Sequence, residues 1–260
     1  MSGRGAWTVR GALAGGVGLA AALVLAACSN PQLVRDRHQA AVFNTELGIA
    51  YLQRGELAVA KRKLDRALRE NPNDPNVHSA RALLFERLGQ PARADREFRA
   101  ALRLAPHNPD YENDYAVYLC NVGRTAEGVK YFLEAARNPL YLTPAAAYNN
   151  AGVCLRVAHQ DTQAAKMFAA ALAVSPDFEQ AAWQLAHLDY KQGRFKQAHA
   201  LIKKFLAANS ETPDMLLLAV KVTRAEGDAL AAELYARRLQ LDFPDSAQAH
   251  ALAALGRNPG

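Results

Sequence analysis

Two consecutive stretches decide the fold: residues 41–74, AVFNTELGIAYLQRGELAVAKRKLDRALRENPND, and residues 75–108, PNVHSARALLFERLGQPARADREFRAALRLAPHN. Each is 34 residues long, and they align without a gap. A small residue at the eighth position (Gly48, Ala82), glycine at the fifteenth (Gly55, Gly89) and alanine at the twentieth (Ala60, Ala94) recur in register. Working outward, Gly123, Gly193 and Gly227 continue the series at intervals of 34, 70 and 34 residues, the 70 being two periods plus a two-residue insertion. Pro72, Pro106, Pro176 and Pro244 each close a helical pattern. Self-similarity at this period identifies a repeat protein before any single motif is considered. Six units result: 41–74, 75–108, 109–144, 145–178, 179–212 and 213–246.

The spacing has a mechanical meaning. Two antiparallel helices approach closely only where side chains are small. The eighth position (Gly48, Ala82, Ala116, Gly152, Ala186, Val220) and the twentieth (Ala60, Ala94, Gly128, Ala164, Ala198, Ala232) would lie at that crossing. The twenty-fourth (Leu64, Phe98, Phe132, Phe168, Ile202, Ala236) would plug the space between one hairpin and the next. Glycine at the fifteenth position suits the left-handed residue that ends a helix, and His159 takes its place in the fourth unit. This is the tetratricopeptide-repeat (TPR) signature. It predicts an all-α chain of six helix-turn-helix repeats stacked as a right-handed superhelix, because no hairpin can bury its apolar surface alone. The sixth unit matches least well, with Thr223 and Ala236 at usually larger apolar positions. Residues 28–40 read as a lipidated N-terminus and polar tether or helix extension, and residues 247–260 as a C-terminal tail.

The N-terminus reads as a targeting segment rather than as part of the fold. Arg4 and Arg10 precede an apolar run from Gly11 to Ala27, rather short for a membrane-spanning helix. The run ends in Leu25-Ala26-Ala27-Cys28, which resembles the bacterial lipobox. That resemblance implies cleavage after residue 27, acylation of Cys28 and anchoring by lipid chains; two chains suffice for stable attachment. Ser29, in place of an aspartate that would resemble an inner-membrane retention signal, favours the inner leaflet of the outer membrane, with the protein facing the periplasm. The alternative is ordinary secretory cleavage with Cys28 as a bystander. The formal charge of +6 falls to +4 once Arg4 and Arg10 are removed. That mild excess is scattered and lacks the basic stripe of a nucleic-acid binder.

Units three and four narrow the family. Unit three contains Asn113-Asp114-Tyr115-Ala116-Val117-Tyr118-Leu119-Cys120 and ends in Phe132-Leu133-Glu134-Ala135-Ala136-Arg137-Asn138-Pro139-Leu140-Tyr141. Unit four opens with Tyr148-Asn149-Asn150-Ala151-Gly152-Val153-Cys154. Together with the lipobox, these segments resemble the type IV pilus biogenesis/stability lipoproteins of the PilF/PilW family. The resemblance implies a pilotin, which helps a secretin subunit reach the outer membrane and assemble into its multimeric pore. A periplasmic TPR adaptor for cell-wall enzymes or another outer-membrane assembly complex is the alternative.

Cys120 and Cys154 lie on the first helices of consecutive units, in a compartment that permits disulfides. They read either as a disulfide or as two buried thiols. No His or acidic residue is grouped around either cysteine at metal-ligand spacing, so no metal is expected. His78, His187 and His199 read as repeat surface or packing residues. Nucleophile elbow, phosphate loop and dinucleotide fingerprint are all missing from the sequence, so we expect no enzyme, cofactor or small-molecule substrate. First-helix positions two, five, nine, twelve and thirteen line the concave groove of a TPR stack. They nominate Asn113, Val117 and Asn121 in unit three, Asn149, Val153 and Arg156 in unit four, and Trp183, His187 and Tyr190 in unit five. Amides can bond an extended peptide backbone, and Trp and Tyr offer rigid anchors. The same asparagines could instead brace helices, and Trp183 could pack between hairpins. The inserted Leu140-Tyr141-Leu142 reads as a contact loop or a simple accommodation between hairpins.

Overall fold

The computed structural model describes residues 31–257, and these are helical with short turns and no strands. The helices form six pairs: α1 (Pro31–Gln53) with α2 (Leu57–Glu70), α3 (Pro75–Arg87) with α4 (Pro91–Leu104), α5 (Pro109–Asn121) with α6 (Thr125–Arg137), α7 (Pro144–Val157) with α8 (Asp161–Val174), α9 (Glu179–Lys191) with α10 (Phe195–Ala208), and α11 (Pro213–Glu226) with α12 (Ala229–Asp242). A last helix, α13, spans Ala247–Arg257. The chain divides into two compact units, 1–104 and 105–260, so the described part of the first holds α1–α4 and that of the second α5–α13. Among the described residues no helix is long and apolar enough to cross a membrane.

Local sequence sets the ends of the helices. Proline at the first turn loses no needed hydrogen bond there. It follows an N-cap whose side chain accepts from the free backbone amides: Asp74 from Asn76, Asn108 from Asp110 and Tyr111, and Thr212 from Met215. Each first helix ends in a left-handed residue at the fifteenth position, with φ from 64° to 88° at the five glycines. His159 adopts φ 58° in the same place. The next amide then donates back five residues in all six turns, as Glu56 N to Tyr51 O and Gln160 N to Leu155 O.

Packing explains the period. The eighth and twenty-fourth positions of one pair meet face to face. A Cβ at Gly48 would stand 2.6 Å from Leu64, and one at Gly152 2.5 Å from the Phe168 ring. The twenty-seventh position (Ala67, Ala101, Ala135, Ala171, Phe205, Leu239) is buried in every unit, a fourth anchor that the sequence reading did not single out. In the first unit, Leu52, Ala60, Leu64, Ala80 and Leu84 form an apolar cluster. Beside it lies an ionic network. Buried Arg81 donates from Nε to Glu97 (3.0 Å) and also pairs with Asp65. His78 places Nδ1 2.6 Å from Glu97 and Nε2 2.9 Å from the Pro72 carbonyl. Both partners are natural acceptors, so the geometry favours the protonated imidazolium of His78. Its pKa is accordingly raised, chiefly by the bond to Glu97.

At the termini, residues 31–40 are a helix extension, the second of the two readings offered for them, and run on into the rest of α1. Residues 247–257 form α13 rather than a tail, with Ala249 and Leu252 buried against Leu216, Val220, Ala236 and Leu239. This helix accounts for the weak sixth repeat: α13 fills the space that small Ala236 leaves. Thr223, buried where an apolar residue is usual, donates its hydroxyl to Ala219 O at 2.8 Å. That bond removes the cost of burying its oxygen.

Candidate functional site

All the nominated groove residues lie in the second compact unit, on α5, α7 and α9. Six of them line two separate pockets, and Asn113, Asn149 and Arg156 line neither. The first lies between α5 and α7 and encloses about 330 Å³. Val117, Asn121 and Val153 line it, together with Phe132, Asn150 and Val157. Its floor is a disulfide between Cys120 and Cys154, whose Cα atoms are 5.7 Å apart. The bond ties the first helices of two consecutive pairs across 34 residues of sequence. Closing a loop of that length restricts the unfolded chain by about 3–4 kcal/mol. Small Gly128 at the α5–α6 crossing makes room for the sulfur. A Cβ there would lie 2.5 Å from Cys120 Sγ and 3.0 Å from Ala116 O.

Asn113 and Asn149 occupy equivalent fifth positions on α5 and α7. The side-chain oxygen of each is buried and accepts no hydrogen bond among the described residues. Leaving such an acceptor unmade costs about 1–3 kcal/mol. Neither asparagine braces its helix through that oxygen.

The second pocket, about 630 Å³, lies between α9 and α11. Trp183, His187 and Tyr190 line it, with Lys191, Leu217, Lys221 and Arg224 among the others. The Trp183 and His187 rings stack with centroids 4.7 Å apart. Trp183 and Tyr190 also pack against the core cluster of Ala182, Ile202, Met215 and Leu218. Trp183 therefore has both roles weighed for it, packing between hairpins with one part and facing the pocket with another. Burial first, then the charges of Arg156, Lys191 and Lys221, hold His187 below its ordinary range. Arg156, nominated with the fourth unit, thus acts electrostatically on the fifth. Leu217, Lys221 and Arg224 were missed by the sequence reading, although they occupy positions five, nine and twelve of unit six; carrying the same register one repeat further would have found them.

The inserted loop divides. Leu140 and Leu142 are 81% and 94% exposed. Tyr141 instead packs partly buried against the cluster of Ala116, Phe132, Ala147 and Ala151, as the accommodation alternative has it. Asn138 pins the loop: its Nδ2 donates to His107 O and its Oδ1 accepts from Leu140 N, both at 2.9 Å. Cys28 lies outside the described residues.

Comparison with known proteins agrees with this geometry. The tetratricopeptide-repeat family matches residues 45–109 and again 159–222. The type IV pilus assembly protein PilF of Pseudomonas aeruginosa is 29% identical over 201 residues, which cover 77% of this chain and 80% of that protein. The solved structure of P. aeruginosa PilF superposes with a TM-score of 0.64 at 27% identity, over 84% of this chain and 99% of that one. The crystal structure of PilW, described as a widely conserved type IV pilus biogenesis factor, gives a TM-score of 0.64 at 29% identity, over 83% of this chain and 99% of that one. The chain is a tetratricopeptide-repeat protein and a relative of the type IV pilus proteins PilF and PilW.

Proposed function

We propose that this chain is a lipid-anchored scaffold of the outer membrane that works in type IV pilus biogenesis, where it helps a secretin subunit localise and form multimers. The observation that carries the reading is the similarity to PilF and PilW over nearly the full length of both solved chains. The site is compatible with it. The first helices present apolar, aromatic and amide groups in two pockets, the chemistry of a surface that holds polypeptide. Cys28 would carry the lipid, and the protein would face the periplasm.

The test is a deletion strain whose membranes are run unheated on a gel and probed for secretin multimers. Multimers should vanish while secretin monomer persists, and return with the full chain but not with Cys28→Ala. Multimers at normal level in the outer membrane of the deletion strain would refute the reading, and the adaptor alternative would replace it.

A further inference from the structure

Several arginines of the chain find carboxylates: Arg81 with Asp65 and Glu97, Arg99 with Asp95, Arg124 with Glu127, Arg194 with Asp189 and Arg238 with Glu211. The pocket between α9 and α11 instead gathers three cations that do not. Lys191, Lys221 and Arg224 line one concave surface, and none forms an ion pair among the described residues. The one acidic residue in that lining, Asp214, is at the edge and accepts from Gln248 Nε2 at 2.7 Å. Between the cations lies apolar area supplied by Trp183, Tyr190 and Leu217, much of it aromatic. His187 lines the same pocket, and burial first, then Arg156, Lys191 and Lys221, hold its pKa below the ordinary range.

Resting on the reading that these first helices form a polypeptide-binding groove, we propose that this pocket takes a partner segment in which acidic side chains flank an aromatic or branched aliphatic one. The apolar side chain lies on Trp183 and Leu217, and the carboxylates meet Lys191, Lys221 and Arg224. The complementarity selects acidic segments over neutral ones of equal shape, since repulsion among the three cations is relieved only by negative charge. A cavity of about 630 Å³ accommodates a few side chains rather than a folded surface.

Trp183 supplies the readout. The chain has two tryptophans, and Trp7 lies in the segment read as removed by cleavage after residue 27, so Trp183 is the sole emitter of the mature lipoprotein. The mature protein, purified in detergent, is titrated with three peptides of about a dozen residues: one with Glu and Asp flanking Phe, its Gln and Asn counterpart, and its Lys counterpart. The acidic peptide should change Trp183 emission, bind at least about tenfold more tightly than the amide peptide, and weaken as salt screens the charges. The lysine peptide should not bind. Lys221→Glu with Arg224→Glu should abolish the preference, and the milder Lys221→Gln with Arg224→Gln should reduce it while helix content by circular dichroism is unchanged. Equal affinity for acidic and amide peptides, no response to the acidic peptide, or a preference that survives charge reversal would overturn the proposal. So would charge-dependent retention on phosphatidylglycerol vesicles without peptide selectivity, which would assign the charge to a membrane. No secretin is present in this experiment, so the two readings fail separately. Lost selectivity leaves multimer assembly untouched, and multimers persisting in a deletion strain leave the selectivity standing.

Discussion

Replacing Gly128 by alanine probes how the disulfide and the repeat geometry depend on each other. The new Cβ would lie 2.5 Å from Cys120 Sγ, 3.0 Å from Ala116 O and 3.3 Å from Cys120 N. A free cysteine could rotate its sulfur away, but Cys120 is bonded to Cys154 and cannot. Alanine gains about 1 kcal/mol of intrinsic helix preference over glycine. Overpacking at a tight crossing costs about 1–3 kcal/mol. We therefore expect Gly128→Ala to be destabilising by up to about 2 kcal/mol in the oxidised protein, or roughly 2–4 °C in Tm per kcal/mol for a unit of this size. In a Cys120→Ala/Cys154→Ala background the sulfur contact disappears and the two backbone contacts remain. That background should itself be lower by about 3–4 kcal/mol. Gly128→Ala should then cost at least about 1 kcal/mol less than in the oxidised chain, a coupling of the size seen between residues in contact. The four proteins are compared by thermal and urea unfolding monitored by circular dichroism. An identical penalty in both backgrounds would refute the argument that the bonded sulfur is what makes alanine intolerable at position 128.

The Arg81 network predicts a pH optimum for the first compact unit. The pKa of His78 is raised above 6.5, so its contribution is fully present below pH 6.5 and is lost as pH rises through its folded value. Glu97 is lowered below 4.5 by His78 and Arg81 against the opposing effect of burial; its contribution is present above pH 4.5 and lost as pH falls through its folded value. Stability of this unit, followed by hydrogen exchange, should therefore peak between these two values, and His78→Gln should remove the decline on the alkaline side. Arg81→Met strands Glu97 and Asp65 without their shared partner and should cost about 3–5 kcal/mol at neutral pH, measured by urea midpoint. His159→Gly relieves a left-handed non-glycine residue worth about 1–2 kcal/mol, partly offset by the added freedom of the unfolded chain. It should raise Tm by a few degrees at most, and a fall would show that the imidazole makes a stabilising contact.

What was legible in the sequence, and what was not, follows from the range of the interactions involved. Caps such as Asp74-Pro75 and Asn108-Pro109, the left-handed residue at position fifteen and the small residues at eight and twenty act within one hairpin or between nearest neighbours. Their spacing alone therefore determined the helix pairs. The reading of Leu25–Cys28 as a lipobox rests on the sequence entirely, since such a signal would be read before folding. Tertiary structure decided the rest. Residues 247–257 contain no marker that separates a frayed end from a packed helix; they pack because Ala236 leaves space that Leu252 and Ala249 fill. Tyr141 and its neighbours Leu140 and Leu142 are alike in hydropathic character, and only the anchoring by Asn138 and the cavity beside Phe132 turn one inward and leave two exposed. Arg81 and its partners are spread over 33 residues of sequence, and ion-pair geometry emerges only once α2, α3 and α4 are docked. The charge felt by His187 is likewise a sum over three repeats, since Arg156, Lys191 and Lys221 act on it only where stacking brings them near. Electrostatic and packing terms of this kind depend on distance in space, and a one-dimensional period records that distance only for neighbours within the repeat.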